Sequence, residues 1–239
     1  MTRLLAFDTS TDAMSIALRT PHGVLTRDAA GGAQASARLV PDVLALLAEA
    51  DCPIKALDAI AFGCGPGAFT GLRTACSVAQ GLAFGAGKPV VPVDSLIIVA
   101  QDARTQLGDA APVELWVAMD ARMDEVYAGA YRWDDGRWVT QSAPALYTLD
   151  ALNALWQAAL PTLVAGSALD AFGDRLQFGA ALTVRRERSR AAALVDVTAQ
   201  LLAAGHTVDA AHALPVYLRD KVALTTQERE AVRLAKESA

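Results

Sequence analysis

The densest grouping of chemically useful residues is Gly63-Cys64-Gly65-Pro66-Gly67-Ala68-Phe69-Thr70-Gly71-Leu72-Arg73. It stands between an apolar run and a helical pattern, where free backbone N–H groups at a helix start can cradle an anion. The letters do not complete a phosphate loop. No lysine is present for G-x-x-x-x-G-K-[ST], and G-x-G-x-x-G fails at Thr70 counted from Gly65 and at Ala68 counted from Gly63. The same glycines fit a tight connection that lets a helix pack closely on a sheet. Two aspartates, Asp8 and Asp120, each end a short apolar run. Strand C-termini gather ligand groups, so each aspartate stands where a ligand could be held. The glycines that would let backbone reach phosphate are missing: Thr9-Ser10-Thr11 follows Asp8, and Ala121-Arg122 follows Asp120. Val164-Ala165-Gly166-Ser167 could supply a single glycine to an adenosine-side turn.

Other chemistries find fewer parts. Cys64 or Ser10 could serve as an acyl-transfer nucleophile, but no basic partner is placed for either. His22, His206 and His212 have no helical metal-pair spacing and read as turn or surface residues. Asp120, Asp124 and Glu125 could hold Mg²⁺, or simply solvate a strand end. Arg185-Arg186-Glu187-Arg188-Ser189-Arg190 places four arginines in six residues. It reads as a solvated basic loop, with phosphate contact as the alternative.

The elements that must position these groups follow from hydrophobic periodicity. Arg3 to Phe7 is a strand, and Met14, Ile16 and Leu18 alternate as a half-buried strand with a return at Val24 to Arg27. Ser36 to Ala50 is a helix with Pro41 near its start, Ala59 to Gly63 a buried strand, Phe69 to Gly85 a second helix. Strand Val90 to Val93 leads to a third helix from Asp94 or Ser95. The pattern then restarts: strands Leu115 to Met119, Glu125 to Trp133 and Arg137 to Thr140, helix Asp150 to Ala159, strand Thr162 to Ala165, helix Ala191 to Ala204. This is an internal duplication in element order, with the boundary near Gly108 to Pro112. In the second helix, Leu72, Ala75, Cys76, Ala79, Leu82 and Ala83 make one stripe. Gly71, Thr74, Val78, Gly81 and Gly85 make another, free of charge. Such a helix is covered on two sides, by the helix Ser36 to Ala50 or by a partner chain.

The 239 residues suffice for two lobes. A net charge of -5 argues against an independent grip on nucleic acid. Cys52, Cys64 and Cys76 are odd in number and lack C-x-x-C spacing, which fits a reducing cytoplasm. No signal peptide or membrane-spanning run is visible, so the expectation is a soluble cytoplasmic protein. The polar tail from Thr225 offers Ala231, Val232, Leu234 and Ala235 as a stripe that docks on the first lobe or frays.

Several stretches resemble one family. Leu4-Leu5-Ala6-Phe7-Asp8-Thr9-Ser10-Thr11 and Gly65 to Arg73, with Ala79-Gln80-Gly81-Leu82-Ala83 behind it, look like the TsaB (YeaZ-type) family. So do Val93-Asp94-Ser95-Leu96, Met119-Asp120-Ala121-Arg122, Glu125-Val126-Tyr127 and Pro215-Val216-Tyr217-Leu218-Arg219. The resemblance implies an α/β fold of two duplicated RNase H-like lobes of the actin/sugar-kinase/Hsp70 superfamily. The lobes would be 1–108 and 109–212, with 213–239 packing back on the first. It implies a non-catalytic subunit for threonylcarbamoyl transfer to N6 of adenosine 37 in ANN-decoding tRNAs. The partners would be the paralogous transferase TsaD, which carries the metal, and the ATPase TsaE. ATP would serve the complex, tRNA would be met through it, and the lone chain could homodimerise. Asp8, Thr9, Asp120 and Gly166 would mark a vestigial nucleotide cleft. Arg38, Leu44, Leu72, Arg73, Thr74, Val78 and Gly81 would face the partner. Ala35 stands where family members often carry a histidine, so no role of that histidine carries over. The competing readings are a small-molecule kinase or ATPase of the same superfamily, resting on Asp8 and Asp120, and a hydrolase using Cys64 or Ser10.

Overall fold

The computed structural model describes residues 2–219, which form two five-stranded mixed sheets with helices around and between them. In the first lobe, strands β1 (Leu4–Asp8), β2 (Ala13–Thr20) and β3 (Gly23–Ala30) run as an antiparallel meander. β4 (Ala59–Gly65) and β5 (Val90–Asp94) add in parallel on the other side of β1. The second lobe repeats this with β6 (Glu114–Asp120), β7 (Glu125–Asp134), β8 (Arg137–Thr148), β9 (Leu163–Ala165) and β10 (Leu182–Val184). Both sheets have the order third, second, first, fourth, fifth, with matching strand directions. Each lobe thus has the RNase H-like strand order, and the architecture is duplicated along the chain. The sequence missed β10 and the short helix α5 (Ala168–Phe172), because three to five residues carry too little periodicity to register.

Among the described residues, six α-helices distribute the burial. Helices α1 (Ala35–Glu49) and α2 (Phe69–Ala86) cover the outer face of the first sheet over Leu5, Phe7, Ile16, Ile60 and Phe62. The opposite face presents Leu4, Ala6, Ala17, Ala59 and Ala61 to helix α6 (Arg190–Ala203), itself alanine-rich at Ala191 and Ala193. Small residues on both surfaces permit close packing of helix on sheet. Helix α3 (Ser95–Leu107) lies between the lobes, with Leu96, Val99, Ala100 and Ala103 against Leu115, Val117 and Tyr131 of the second sheet. Helix α4 (Leu149–Ala158) closes the far face through Leu152 and Trp156. The range 109–212 thus supplies packing to both lobes, since α6 follows the second sheet in sequence yet covers the first.

Two local expectations are corrected. β2 is buried on both faces rather than one: Met14, Ile16 and Leu18 face α1, while Ala17 faces α6. Pro41 lies inside α1 rather than in its first turn, because the helix begins at Ala35, so the amide that would bond the Ala37 carbonyl is absent. The tail from Thr225, with its Ala231, Val232, Leu234 and Ala235 stripe, lies outside the described residues. Among the described residues, no helix is long and apolar enough to cross a membrane.

Two glycines of α2 sit in opposite surroundings. A Cβ on Gly71 would fall 1.8 Å from the Thr9 carbonyl oxygen, whereas one on Gly81 meets nothing within 4 Å. Gly71→Ala should therefore cost about 3 kcal/mol or more in urea denaturation. Gly81→Ala should raise stability by about 0.5–1 kcal/mol, the usual gain in an open helix interior.

Candidate functional site

Asp8 ends β1 with its side chain fully buried. Its Oδ1 accepts the Ser10 amide and the Ser10 hydroxyl, each at 2.7 Å, and its Oδ2 accepts the Ser95 hydroxyl at 3.4 Å. Arg190, on the first turn of α6, brings its Nε to 3.4 Å from the same carboxylate. The guanidinium also donates to Glu187 at 2.7 Å, to the Ser10 Oγ at 3.1 Å and to the Ser95 carbonyl at 3.3 Å. Arg190 is only 6% exposed, which corrects the reading of 185–190 as a solvated loop: its last arginine is a core residue. Burial works against its charge, but Asp8 and Glu187 outweigh burial and hold its pKa above the ordinary arginine value. Burial pushes the Glu187 carboxyl up, and Arg190 pulls it back down. The other arginines behave as the loop reading expects, with Arg185 and Arg186 sharing Asp170 at 3.3 and 3.4 Å.

The glycine loop serves the chain's own backbone. A Cβ on Gly63 would lie 1.7 Å from Asp8 Oδ2, and one on Gly67 would lie 2.6 Å from the Ser10 carbonyl oxygen. Thr9 Oγ1 donates to the Gly71 carbonyl at 2.6 Å, and the Ala68 amide donates to the Ser10 carbonyl at 2.8 Å. Of the two readings of 63–73, the tight connection is the observed one: its approach is to residues 8–10. Cys64 is 7% exposed, and burial, with Asp94 and Asp8 adding to it, pushes its thiol up to about 12. Ser10 donates to Asp8, whose carboxylate is held in the ion pair with Arg190, and His22, His206 and His212 are all exposed, so neither hydrolase nucleophile meets an imidazole.

The second lobe's strand end is separate. Asp120 accepts the Arg122 amide at 2.7 Å and donates its own N–H to Ser167 Oγ at 3.1 Å. Gly166 is needed because its Cβ would lie 2.3 Å from the Ala118 carbonyl oxygen at a φ of +123°. Asp124 pairs with Arg175 and Glu125 with Arg219, so the carboxylates 120, 124 and 125 point to different partners. Among the described residues no cluster of three or more potential ligands is positioned for a metal ion. The structure therefore joins Asp8 and Thr9 to the loop 63–73, and leaves Asp120 and Gly166 engaged on their own side.

The whole chain can now be set beside known proteins. A family model described as "TsaD: tRNA N6-adenosine threonylcarbamoyltransferase" matches residues 17–238. The "tRNA threonylcarbamoyladenosine biosynthesis protein TsaB" of Escherichia coli K12 is 33% identical over 226 residues, covering 92% of this chain and 96% of the relative. The protein of that name from Haemophilus influenzae is 43% identical over 124 residues, about half of each chain. The solved structure of YeaZ from Pseudomonas aeruginosa superposes with a TM-score of 0.80 at 38% identity, covering 91% of this chain and 100% of that one. The chain belongs to the TsaB (YeaZ) family.

In this TsaB-family chain the residues expected at a partner surface fall into two groups. Leu44 is 52% exposed, Arg38 is exposed beside Asp42 at 3.2 Å, Arg73 stacks on Phe69 at 3.9 Å, and Gly81 faces open space. Thr74 and Val78 are half-buried. Leu72 is 1% exposed and packs within the chain's own core, so it is not part of that surface. Ala35 is likewise buried, at the first turn of α1. Sequence reasoning missed Phe84, which is 83% exposed on α2. Its signal was an aromatic belonging to neither apolar stripe and flanked by Gly81 and Gly85. Asp94, read from the sequence as a candidate start of the third helix, does cap α3 through the Leu96 amide at 2.8 Å; what the sequence missed is that it also accepts the Tyr131 hydroxyl from the second lobe at 2.5 Å. Burial pushes this carboxyl up to about 6, against the lowering effect of Tyr131, the Leu96 and Ile97 amides and Arg190.

Two outcomes follow from these buried charges. Arg190→Ala should cost about 3–5 kcal/mol in urea denaturation, because Asp8 stays buried without its cation. Adding Asp8→Asn should recover a large part of that loss in a double-mutant cycle; strictly additive effects would show that the pair does not interact. For Asp94, the folded carboxyl keeps its proton up to about pH 6 and the unfolded one only to about 3.8. The group's stabilising contribution is complete below the lower value and is lost as pH rises through the higher. The stability difference between wild type and Asp94→Asn should fall by about 3 kcal/mol from about pH 4 to about pH 6, then level. Parallel pH profiles for the two proteins would refute it.

Proposed function

We propose that this chain is a non-catalytic subunit of tRNA threonylcarbamoyladenosine synthesis that pairs with a transferase of its own fold, TsaD. The observation that carries this reading is the Arg190 guanidinium seated on Asp8. A strand-end carboxylate that must ligate a metal or polarise a substrate hydroxyl needs a free position. Here Oδ1 is taken by Ser10 and Arg190, and Oδ2 faces the Ser95 hydroxyl. The glycines of 63–73 face residues 8–10 rather than an open anion site. The relatives' names place TsaB in the biosynthesis of the modified nucleoside, and the match to a TsaD model fits descent of subunit and transferase from one fold.

The pairing surface on this reading is the uncovered side of α1 and α2. Leu44, Gly81, Gly85 and Phe84 offer apolar and small groups without charge, which suits close helix-to-helix approach. The same face would support a homodimer in isolation. TsaE, ATP and the transferase's metal belong to the complex, and tRNA is met through it, in keeping with a net charge of -5. The setting would be the cytoplasm.

The test is reconstitution by omission. tRNA, threonylcarbamoyl-AMP, ATP, TsaD and TsaE from one organism are combined with and without this chain, and modified adenosine is quantified by mass spectrometry. Product should require the chain. Phe84→Asp should leave the lone chain's stability within about 0.5 kcal/mol and weaken pairing at least about tenfold. Product formed equally well without the chain, or tight ATP binding and turnover by the chain alone, would move the kinase reading to the front.

A further inference from the structure

Three separated sequence blocks meet at one place that the proposed function does not use. Residues 213–219 leave the second half of the chain, cross the first lobe and end on the second. The crossing is well fastened. The Ala213 carbonyl accepts the Cys76 thiol at 3.2 Å and the Gln80 amide at 2.8 Å, both from α2. The Val216 amide donates to the Cys64 carbonyl at 2.7 Å. A Cβ on Gly65 would lie 2.5 Å from the Val216 carbonyl oxygen, so that glycine makes room for the crossing. The Tyr217 ring lies 5.0 Å from the Phe69 ring, and its hydroxyl accepts Arg73 Nε at 3.1 Å.

The far end is Arg219, whose side chain is 12% exposed. It pairs with Glu125, donates to the Arg122 carbonyl at 3.2 Å and approaches Met123 Sδ at 3.4 Å. These residues form the turn between β6 and β7. There Arg122, Met123 and Asp124 have φ of 62°, 58° and 57°, three consecutive non-glycine residues in the left-handed region. Each such residue costs roughly 1–2 kcal/mol and persists only where surrounding contacts over-determine it. Arg219 supplies contacts to two of the three and to the residue after them. Strap and turn therefore support each other across the two lobes.

We propose that 213–219 is an inter-lobe latch, closed by Arg219 on the left-handed turn, and that its opening uncovers the loop 63–73 and the start of α2. The latch stands on these contacts alone and does not depend on the partner reading. It would make access to Phe69 and Arg73 conditional on the state of the second lobe's turn.

The thiols report it without added probes. Cys64 and Cys76 lie under the strap, at 7% and 5% exposure, while Cys52, at 6%, lies elsewhere behind the end of α1 and serves as a control for global unfolding. The full chain is pulsed with N-ethylmaleimide under native conditions and the three sites are followed by peptide mass spectrometry. In Arg219→Ala, Cys64 and Cys76 should label at least about tenfold faster than in wild type, with Cys52 unchanged, as expected for local opening. Glu125→Gln, which alters the second-lobe end of the same ion pair, should give the same selective pattern more weakly. Unchanged rates at Cys64 and Cys76 in both variants, or equal acceleration of all three cysteines, would overturn the latch.

Discussion

The ion pair between Asp8 and Arg190 sets the terms for the rest of the molecule. Both side chains are almost entirely withdrawn from water, and two charges in that position are tolerable only in close contact, with most of their hydrogen-bonding groups engaged: Arg190 spends its two terminal nitrogens on Glu187, Ser10 and Ser95, and turns its Nε to Asp8 at 3.4 Å. This fixes a chain of dependent choices. Arg190 must stand on the first turn of α6, which sets the register of that helix along the alanine-lined face of the first sheet. Glu187 must reach back from just before the helix to take a second edge of the guanidinium. Ser10 and Ser95 must present hydroxyls from two different strand ends. Position 63 must be glycine, because a side chain there would collide with the Asp8 carboxylate. A buried pair of this kind is weak evidence for stability, but removal of one member is costly, so it specifies a single arrangement.

The second lobe is tied to the first through groups of the same protein. Tyr131 reaches Asp94 across the interface, α3 is shared by both hydrophobic layers, and the strap carries Arg219 to Glu125. The exposed Arg122 and Asp12 contact adds little, since both side chains are largely in water. In a two-lobed protein that closes on a ligand, some of these positions would have to stay unpaired until the ligand arrives. The engagement of Tyr131 and α3 here favours a fixed packing of the two sheets, over which the strap is the part proposed to open.

Much of the fold was legible in the sequence because each long element repeats its pattern several times. Strands β1, β4 and β5 and helices α1, α2 and α6 carry strong periodicity, and the repeated order of elements gives the duplication. What was not legible depends on contacts between distant residues. Arg190 reads like its neighbours Arg185 and Arg186, and nothing local says that one of the arginines turns inward to meet Asp8, 182 residues earlier. Asp94 reads as a helix cap, and only the folded interface adds Tyr131. Leu72 belongs to an apolar stripe on an exposed helix, yet that stripe faces the chain's own core. The cluster Asp120, Asp124 and Glu125 looks like a ligand set in one dimension and separates into three partnerships in three.

The glycine loop shows how a glycine-rich turn can serve the packing of the chain that carries it. In a phosphate-binding turn glycine removes a side chain so that a ligand can approach the backbone. At Gly63, Gly67 and Gly71 the approaching group is instead Asp8, Ser10 or Thr9, and at Gly65 it is the Val216 carbonyl. The conformational requirement is the same, and the beneficiary is the chain itself. Such a substitution is self-reinforcing. Once the near space is filled by protein, a phosphate can enter only by displacing buried hydrogen bonds and an ion pair, and each group left behind would be unsatisfied. Each of those four glycines is thus a packing requirement of this chain, since a Cβ at any of them would meet a neighbouring group at 2.6 Å or less.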